Sequence, residues 1–382
     1  MILNIKDLKK LVSKISIAVE KSKINPKSGW IEIMTLDNKL VFKVSNSDYY
    51  LTASIDIKDN NCGDSIHVTL LAETFIPLIS KLDCEEIELS EVLNSLVLKT
   101  STNSYTFPLI KELGKTKILD EIKFCSNEDF VANLNGDDLA SVAEINSKGL
   151  VSAICARPVQ SYIYIDNLGA ITYTENIYIN SFRYPYVDNN FKILLTYTQS
   201  KLLDIFSGID NVYIEFEHLP TFNESPTRTN KVKFYTDSIM LIVIAKDMDI
   251  TETFPSIRLR QNVDFNSDSH VVVDKKLLDK ALSRLMIFDK VFDASILDYS
   301  KIIFKSNELE LVSIKNKNIE RVPYIRSTNV VEHESMIRFD DIVKQLKAVT
   351  DKELDISYGT KPAIVFNCAV KQLIPEIRLI ER

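Results

Sequence analysis

The stretch DLKKLVSKISIAVEK, residues 7–21, decides how the rest of the chain reads. Leu8, Leu11, Val12, Ile15 and Val19 keep the i, i+3, i+4 spacing of a single apolar helix stripe. After it, Trp30–Leu36 reads as a strand, Asp37-Asn38 as a tight turn and Leu40–Val44 as the returning strand. The pattern then begins again. His67–Leu70 is a strand, Phe75, Ile76, Ile79 and Leu82 stripe a helix, and Ile87–Leu89, Leu96–Lys99 and Tyr105–Leu109 are strands.

Helix candidates of this kind are Asp7–Lys21, Ala72–Leu82, Asp137–Lys148, Thr198–Ser207, Asp274–Phe288 and Asp340–Val349. They recur about every 65 residues, with one longer step before the fifth, which is the mark of one supersecondary unit copied in series. Leu277, Leu278, Ala281, Leu282 and Leu285 stripe the fifth helix, and Ile342, Val343, Leu346 and Val349 the sixth. The polar, pattern-poor stretches Ile110–Ser126 and Asp249–Ser269 separate the copies. The fold class is α+β, with three similar domains, 1–122, 123–252 and 253–382, each holding two helices and antiparallel strands.

Composition narrows the function. Of 382 residues 45% are apolar and 26% charged, with a net charge of −7, as in an ordinary soluble protein. No apolar run is long enough to span a bilayer, and the first residues lack a signal-peptide layout, so the expectation is a cytoplasmic protein with no membrane partner. Cys62, Cys84, Cys125, Cys155 and Cys368 are scattered singly, which supports neither disulfides nor a zinc site. His67, His218, His270 and His333 are far apart in sequence, and no phosphate loop, dinucleotide or nucleophile-elbow motif occurs. The pairs Glu85-Glu86, Asp137-Asp138 and Asp340-Asp341 stand at element entrances, where capping explains them. The expectation is no enzyme, no cofactor and no metal. A hydrolase with non-contiguous catalytic residues is the rival from another class, and a non-enclosing repeat protein, DNA-binding or structural, is the second.

The net acidity hides local basic lines. Lys9, Lys10, Lys14, Lys21 and Lys23 crowd the first helix, and Lys276, Lys280 and Arg284 stand at i, i+4, i+8 on the fifth. Lys27, Lys148, Arg157, Lys201, Lys344 and Lys347 extend the set. Solvated faces are the ordinary explanation of any one such helix. Repeated on similar helices, they read as a lining for duplex phosphates. Lysine suits that role because a compact ammonium exchanges phosphates without bidentate locking. No aromatic residue interleaves with them, so the contact expected is with backbone, independent of sequence.

Three motifs carry a resemblance that spans essentially the whole chain: Thr253-Phe254-Pro255-Ser256-Ile257-Arg258, Leu373-Ile374-Pro375-Glu376-Ile377-Arg378-Leu379 and Asn25-Pro26-Lys27-Ser28-Gly29. In order and spacing they resemble the bacterial DNA polymerase sliding clamp, the beta subunit of the replicative polymerase. The resemblance implies a head-to-tail homodimeric ring around duplex DNA, with DNA polymerase and clamp loader as partners through short peptide motifs. It implies a partner-peptide groove lined by Val159, Glu175, Ile177, Asn180, Pro255, Leu259, Leu373, Pro375 and Ile377, and a dimer contact of Met286, Ile287 and Phe288 with Tyr105 and Phe107. The sequence departs from the family at Glu175–Ile179 and in the three residues after Leu379, both within that groove. Altered peptide specificity is expected there, as would suit a phage-encoded clamp acting in its host's cytoplasm.

Overall fold

Asn4 starts the first helix: its side chain accepts the amide of Lys6 (2.8 Å), satisfying one of the donors that a helix start leaves unpaired. In the computed structural model this yields β1 (Ile2–Asn4) and α1 (Ile5–Ile15), then β2 (Trp30–Leu36), β3 (Lys39–Ser45), β4 (Tyr49–Asp56) and β5 (His67–Leu71). Next come α2 (Ala72–Lys81), β6 (Glu86–Val92), β7 (Ser95–Lys99), β8 (Ser104–Pro108) and a short hairpin, β9 (Lys111–Glu112) and β10 (Lys115–Thr116). The middle of the chain holds β11 (Val131–Leu134), α3 (Gly136–Glu144), β12 (Tyr162–Asp166), β13 (Gly169–Tyr173), β14 (Ile179–Arg183) and β15 (Lys192–Thr196). There follow α4 (Tyr197–Lys201), β16 (Val212–Phe216), β17 (Asn230–Tyr235), β18 (Ile239–Ala245) and α5 (Ser256–Val263). The last part is β19 (His270–Asp274), α6 (Lys275–Asp289), β20 (Ser300–Phe304), β21 (Glu308–Ser313), β22 (Ile319–Thr328) and β23 (His333–Ile337). It ends with α7 (Phe339–Leu346), β24 (Glu353–Ser357), β25 (Ala363–Phe366) and β26 (Val370–Pro375).

The structure describes residues 1–20, 25–58, 65–126, 131–145, 162–174, 179–185, 187, 191–217, 230–246, 251, 253–264, 267–289, 300–313, 317–347 and 349–376. The chain divides into two compact units, one of residues 1–140, 187–189 and 198–248, the other of 141–186, 190–197 and 249–382.

In the first unit an eight-stranded antiparallel sheet runs β11-β16-β17-β18-β4-β3-β2-β5, and a four-stranded sheet runs β1-β6-β7-β8. Strand β18 joins β4 in register Ile239↔Ala53 to Val243↔Tyr49, so strands far apart in sequence share one sheet. Helix α1 buries Ile5, Leu8, Leu11, Val12 and Ile15, and packs on α2 and β4. The second unit is built on one twelve-stranded order, β15-β12-β13-β14-β26-β25-β24-β19-β22-β21-β20-β23. Here β26 joins β14, Leu373↔Ile179 to Val370↔Phe182. Its main core gathers Leu278, Ala281, Leu282 and Leu285 of α6 with Ile342 and Leu346 of α7 against the strands.

Several expectations change. The first helix ends at Ile15 and tightens into a 3₁₀ turn, Ser16–Ala18, and the fourth becomes 3₁₀ over Leu202–Phe206. Leu277 is exposed, outside the α6 stripe: the buried positions Leu278, Ala281, Leu282 and Leu285 already fill the face turned to the core. Helix α5 and the hairpin β9–β10 stand in stretches that look pattern-poor in sequence.

Candidate nucleic-acid interface and partner groove

On α1 the buried stripe turns Lys9 and Lys10 outward, and neither has an acidic partner among the described residues. Lys14 is diverted. Its Nζ donates to the Ser207 carbonyl (2.9 Å), and burial, then the nearby charge of Lys10, lowers its pKa from the usual lysine range. On α6, Lys276 and Lys280 are exposed and free of carboxylates among the described residues. Arg284, next on that line, is held by Glu320 through Nε (2.6 Å) and Nη2 (2.7 Å). Lys344 reaches Asp341 at 3.4 Å on α7, and Lys347 follows exposed at its end. Lys201 is exposed at the end of α4, whereas Lys27 bonds to Asp120 (2.7 Å). Lys21, Lys23, Lys148 and Arg157 lie outside the described residues. Lys9, Lys10, Lys276 and Lys280 are therefore the ammonium groups best placed to exchange with phosphates.

Of the five implied groove residues that the structure describes, three are interior. Phe254 stacks on Tyr164 (4.7 Å between centroids, 6° between planes) and meets the Tyr173 ring edge-on at 5.5 Å. Leu259 and Leu373 close this aromatic cluster and are buried in it. Asn180 is buried too, its Nδ2 donating to the Ile145 carbonyl (3.1 Å). Only Pro255 and Pro375 keep partial exposure. Val159, Glu175, Ile177 and Ile377 lie outside the described residues. Leu259 and Leu373 are buried because they pack with the Phe254 ring in one core cluster.

What the surface offers beside this cluster was not legible in the sequence. Arg260 of α5 clamps the β12–β13 turn by two bonds to Asp166, 2.6 Å from Nη1 and 2.8 Å from Nη2, both side chains being buried. Around it Leu168, Arg183, Ile257, Gln261 and Asp264 line a shallow cavity of about 370 Å³. Ile257 is 73% exposed on its rim, and Asp264 pairs with both Arg183 and Lys371. One signal was available: Leu259 and Val263 stand four apart after Pro255, the spacing of a short helix behind a proline start.

Of the implied dimer residues, Phe107 is buried against Phe75 (5.4 Å, edge-on) and Met286 packs on the core of its unit. Ile287 and Phe288 are 63% and 49% exposed, and Tyr105 is half-buried. Apolar surface is thus offered by Ile287 and Phe288, and in part by Tyr105. The neighbouring strands matter more. β8 is terminal in its sheet, and residues Ile319–Pro323 of β22 pair with β21 on one side only.

Two clusters bear on the hydrolase rival. His270 meets Ser357 Oγ (3.0 Å) and Asp355 (3.4 Å) through the same nitrogen, Nδ1. Ser335 Oγ donates to Glu376 (2.7 Å), the same carboxylate oxygen that His333 contacts at 2.9 Å. A nucleophile–base–acid relay needs both imidazole nitrogens, one for each neighbour. Neither cluster has that layout. The acidic pairs of α3 and α7 stand in first turns, as capping requires.

No protein-family profile matches the chain, and no curated protein matches its sequence. Solved structures do. The DNA polymerase III beta subunit of Thermotoga maritima superposes with a TM-score of 0.73 at 13% identity, covering 99% of each chain. The DNA polymerase sliding clamp of Bacillus subtilis gives 0.70 at 14% identity, over 99% of this chain and 98% of that one. A Helicobacter pylori beta clamp bound to a DNA ligase peptide gives 0.67 at 12%, covering 99% of each. The chain has the fold of the bacterial sliding clamps along its whole length.

Proposed function

We propose that this chain, built on the sliding-clamp fold, is a replication processivity factor that closes head to tail as a homodimer around duplex DNA. The reading treats 1–122, 123–252 and 253–382 as three clamp domains, and one observation carries it. Setting aside the separate two-residue hairpin β9–β10, the two domain junctions follow a rule: the fourth strand of one domain pairs with the last strand of the next, β4 with β18 and β14 with β26. The rule leaves two strands over, β8 of the first domain and β22 of the third, and each has an edge unpaired among the described residues. An unpaired edge is a template for another chain. Pairing β22 of one copy with β8 of the next supplies both edges and makes a closed C2 assembly.

Such a ring holds DNA by topology. Lys9, Lys10, Lys276 and Lys280 need only weak, salt-screened contacts with phosphates, while the net charge of −7 disfavours DNA on the outside. Tethering a polymerase raises its effective concentration at the primer end. The surface around Pro255, Ile257 and Pro375 is the candidate docking site for short peptides of the polymerase and the clamp loader, and the ligase peptide on the Helicobacter pylori clamp favours that mode of recognition. The role is non-enzymatic and cytoplasmic, in a host's cytoplasm if the gene is a phage's. Among the described residues no helix is long and apolar enough to cross a membrane.

The deciding experiment loads the protein on nicked circular DNA and on the same DNA made linear. Retention on circles with loss from free ends is expected; equal retention on both would point to a non-enclosing DNA-binding protein.

A further inference from the structure

The β14–β26 junction carries polar side chains where its counterpart carries leucines. Across β13, β14, β26 and β25 the register sets Thr172 opposite Asn180, Asn180 opposite Gln372 and Gln372 opposite Phe366. Residues opposite one another in an antiparallel pair share a face. In the first unit the corresponding row is Leu51 opposite Leu241, with Phe234 beside Leu241. Leu51 and Leu241 are fully buried, so the fold accommodates an apolar pair at this place. Asn180 and Gln372 are a choice of this sequence.

Helix α7 packs on β26, and Gln372 Nε2 donates to the backbone carbonyl of Gln345 on that helix (3.0 Å). Thr172, Asn180, Gln345 and Gln372 are at most 1% exposed. Yet Thr172 Oγ1, Asn180 Oδ1, Gln372 Oε1 and both Gln345 side-chain atoms, Oε1 and Nε2, have no hydrogen-bond partner among the described residues. Turning the amides around does not solve this. Asn180 and Gln372 each need their nitrogen toward a carbonyl, at Ile145 and Gln345, so their oxygens are fixed as acceptors. Buried polar groups in folded proteins are almost always satisfied by protein or by ordered water.

The inventory defines the ligand. Four oxygens can accept, and the Thr172 hydroxyl and the Gln345 amide can donate. Two water molecules bring four O–H donors, and their oxygens can accept the Gln345 amide and the Thr172 hydroxyl, so every group is matched with about the usual number of bonds per buried water. We propose that Thr172, Asn180, Gln345 and Gln372 hold two ordered waters, and that this hydrated seam makes β14–β26 the more yielding of the two junctions. Groups bonded through water can shift by exchanging partners, whereas parting Leu51 from Leu241 opens an apolar void. The inference does not depend on the chain encircling DNA.

Two measurements on the full wild-type chain decide it. A high-resolution crystal structure is expected to show two water peaks within hydrogen-bond range of the named atoms; side chains bonded directly to one another, with no density between, would overturn the site. Native-state hydrogen exchange is expected to be at least tenfold faster across Ile179–Phe182 and Val370–Leu373 than across Tyr49–Ala53 and Ile239–Val243. Equal protection would overturn the yielding junction. The variant N180L/Q372L copies the leucine pair and is expected to lose both waters and most of the exchange difference. If it does not fold, the two wild-type measurements still decide the question.

Discussion

Arg260 and Asp166 form a buried two-pronged ion pair that ties helix α5 to the β12–β13 turn. Taking one partner away leaves the other charge without compensation in a place with little water. Arg260→Met is therefore expected to cost about 3–5 kcal/mol, read from urea denaturation of the second unit. A loss below about 1 kcal/mol would mean the pair is effectively solvated.

The lysine lining predicts a charge effect that grows as salt falls. Lys10→Glu with Lys280→Glu is expected to lower loading onto DNA, and the equilibrium affinity for short linear duplex, at least tenfold. The dependence of log affinity on log salt should flatten by about 0.9 for each phosphate no longer neutralised. Lys14→Gln should do less, because that ammonium is already bonded to the Ser207 carbonyl. Unchanged loading and processive synthesis by the double variant would remove these helices from the interface.

Carrying the junction register over to β8 and β22 makes the ring testable at residue level. Tyr50 faces Ile242 in the β4–β18 pair, and the equivalent positions are Ile319 and Thr106. Ile319→Cys with Thr106→Cys should give a disulfide between copies under mild oxidation, since opposed side chains stand about 4.5–5.5 Å apart at Cβ. Ile319→Cys with Ser104→Cys, out of register, should not. A non-reducing gel separates the outcomes.

Leu113 is 99% exposed at the tip of the β9–β10 hairpin with φ +51°, followed by Gly114 at +79°. The same chain builds the β2–β3 turn from Asp37 and Asn38, at +48° and +59°, residues that tolerate this region. Leu113→Asn should stabilise the first unit by about 1 kcal/mol, with a raised denaturation midpoint and unchanged slope.

The buried Glu310 predicts an acid limb. Its bond from Lys305 (2.6 Å) holds the carboxyl below its ordinary 4.5, against the opposing effect of burial, with Arg321 assisting. A depressed folded pKa means that the contribution is complete above about pH 4.5 and is lost as pH falls through the folded value. Glu310→Gln should flatten that part of the stability profile. An identical acid limb would show that other carboxylates govern it.

Helix periodicity was the legible part of this fold, because each stripe had to bury itself against a sheet. The junction strands were not legible. Tyr49, Tyr50 and Leu51 are buried in succession, which breaks strict alternation, and Ile319–Thr328 is exposed almost throughout. No local pattern states that β4 will pair with β18, since that choice belongs to the tertiary fold. The surroundings of the implied groove residues were hidden for a similar reason: Leu259 and Leu373 read equally well as lining or as core, and the structure packs both with Phe254. Arg284 looked like a third phosphate contact on a basic line until β22 supplied Glu320.

The long-range junctions also bear on how the protein is made. When β14 has been synthesised, its partner β26, the last described strand, is still to come. At about 5–20 residues per second that edge waits on the order of ten seconds or longer. During that interval an unpaired strand is exposed to other nascent chains. A polar Asn180 on the waiting strand makes it a poorer seed for aggregation than the leucine at the matching place in β4.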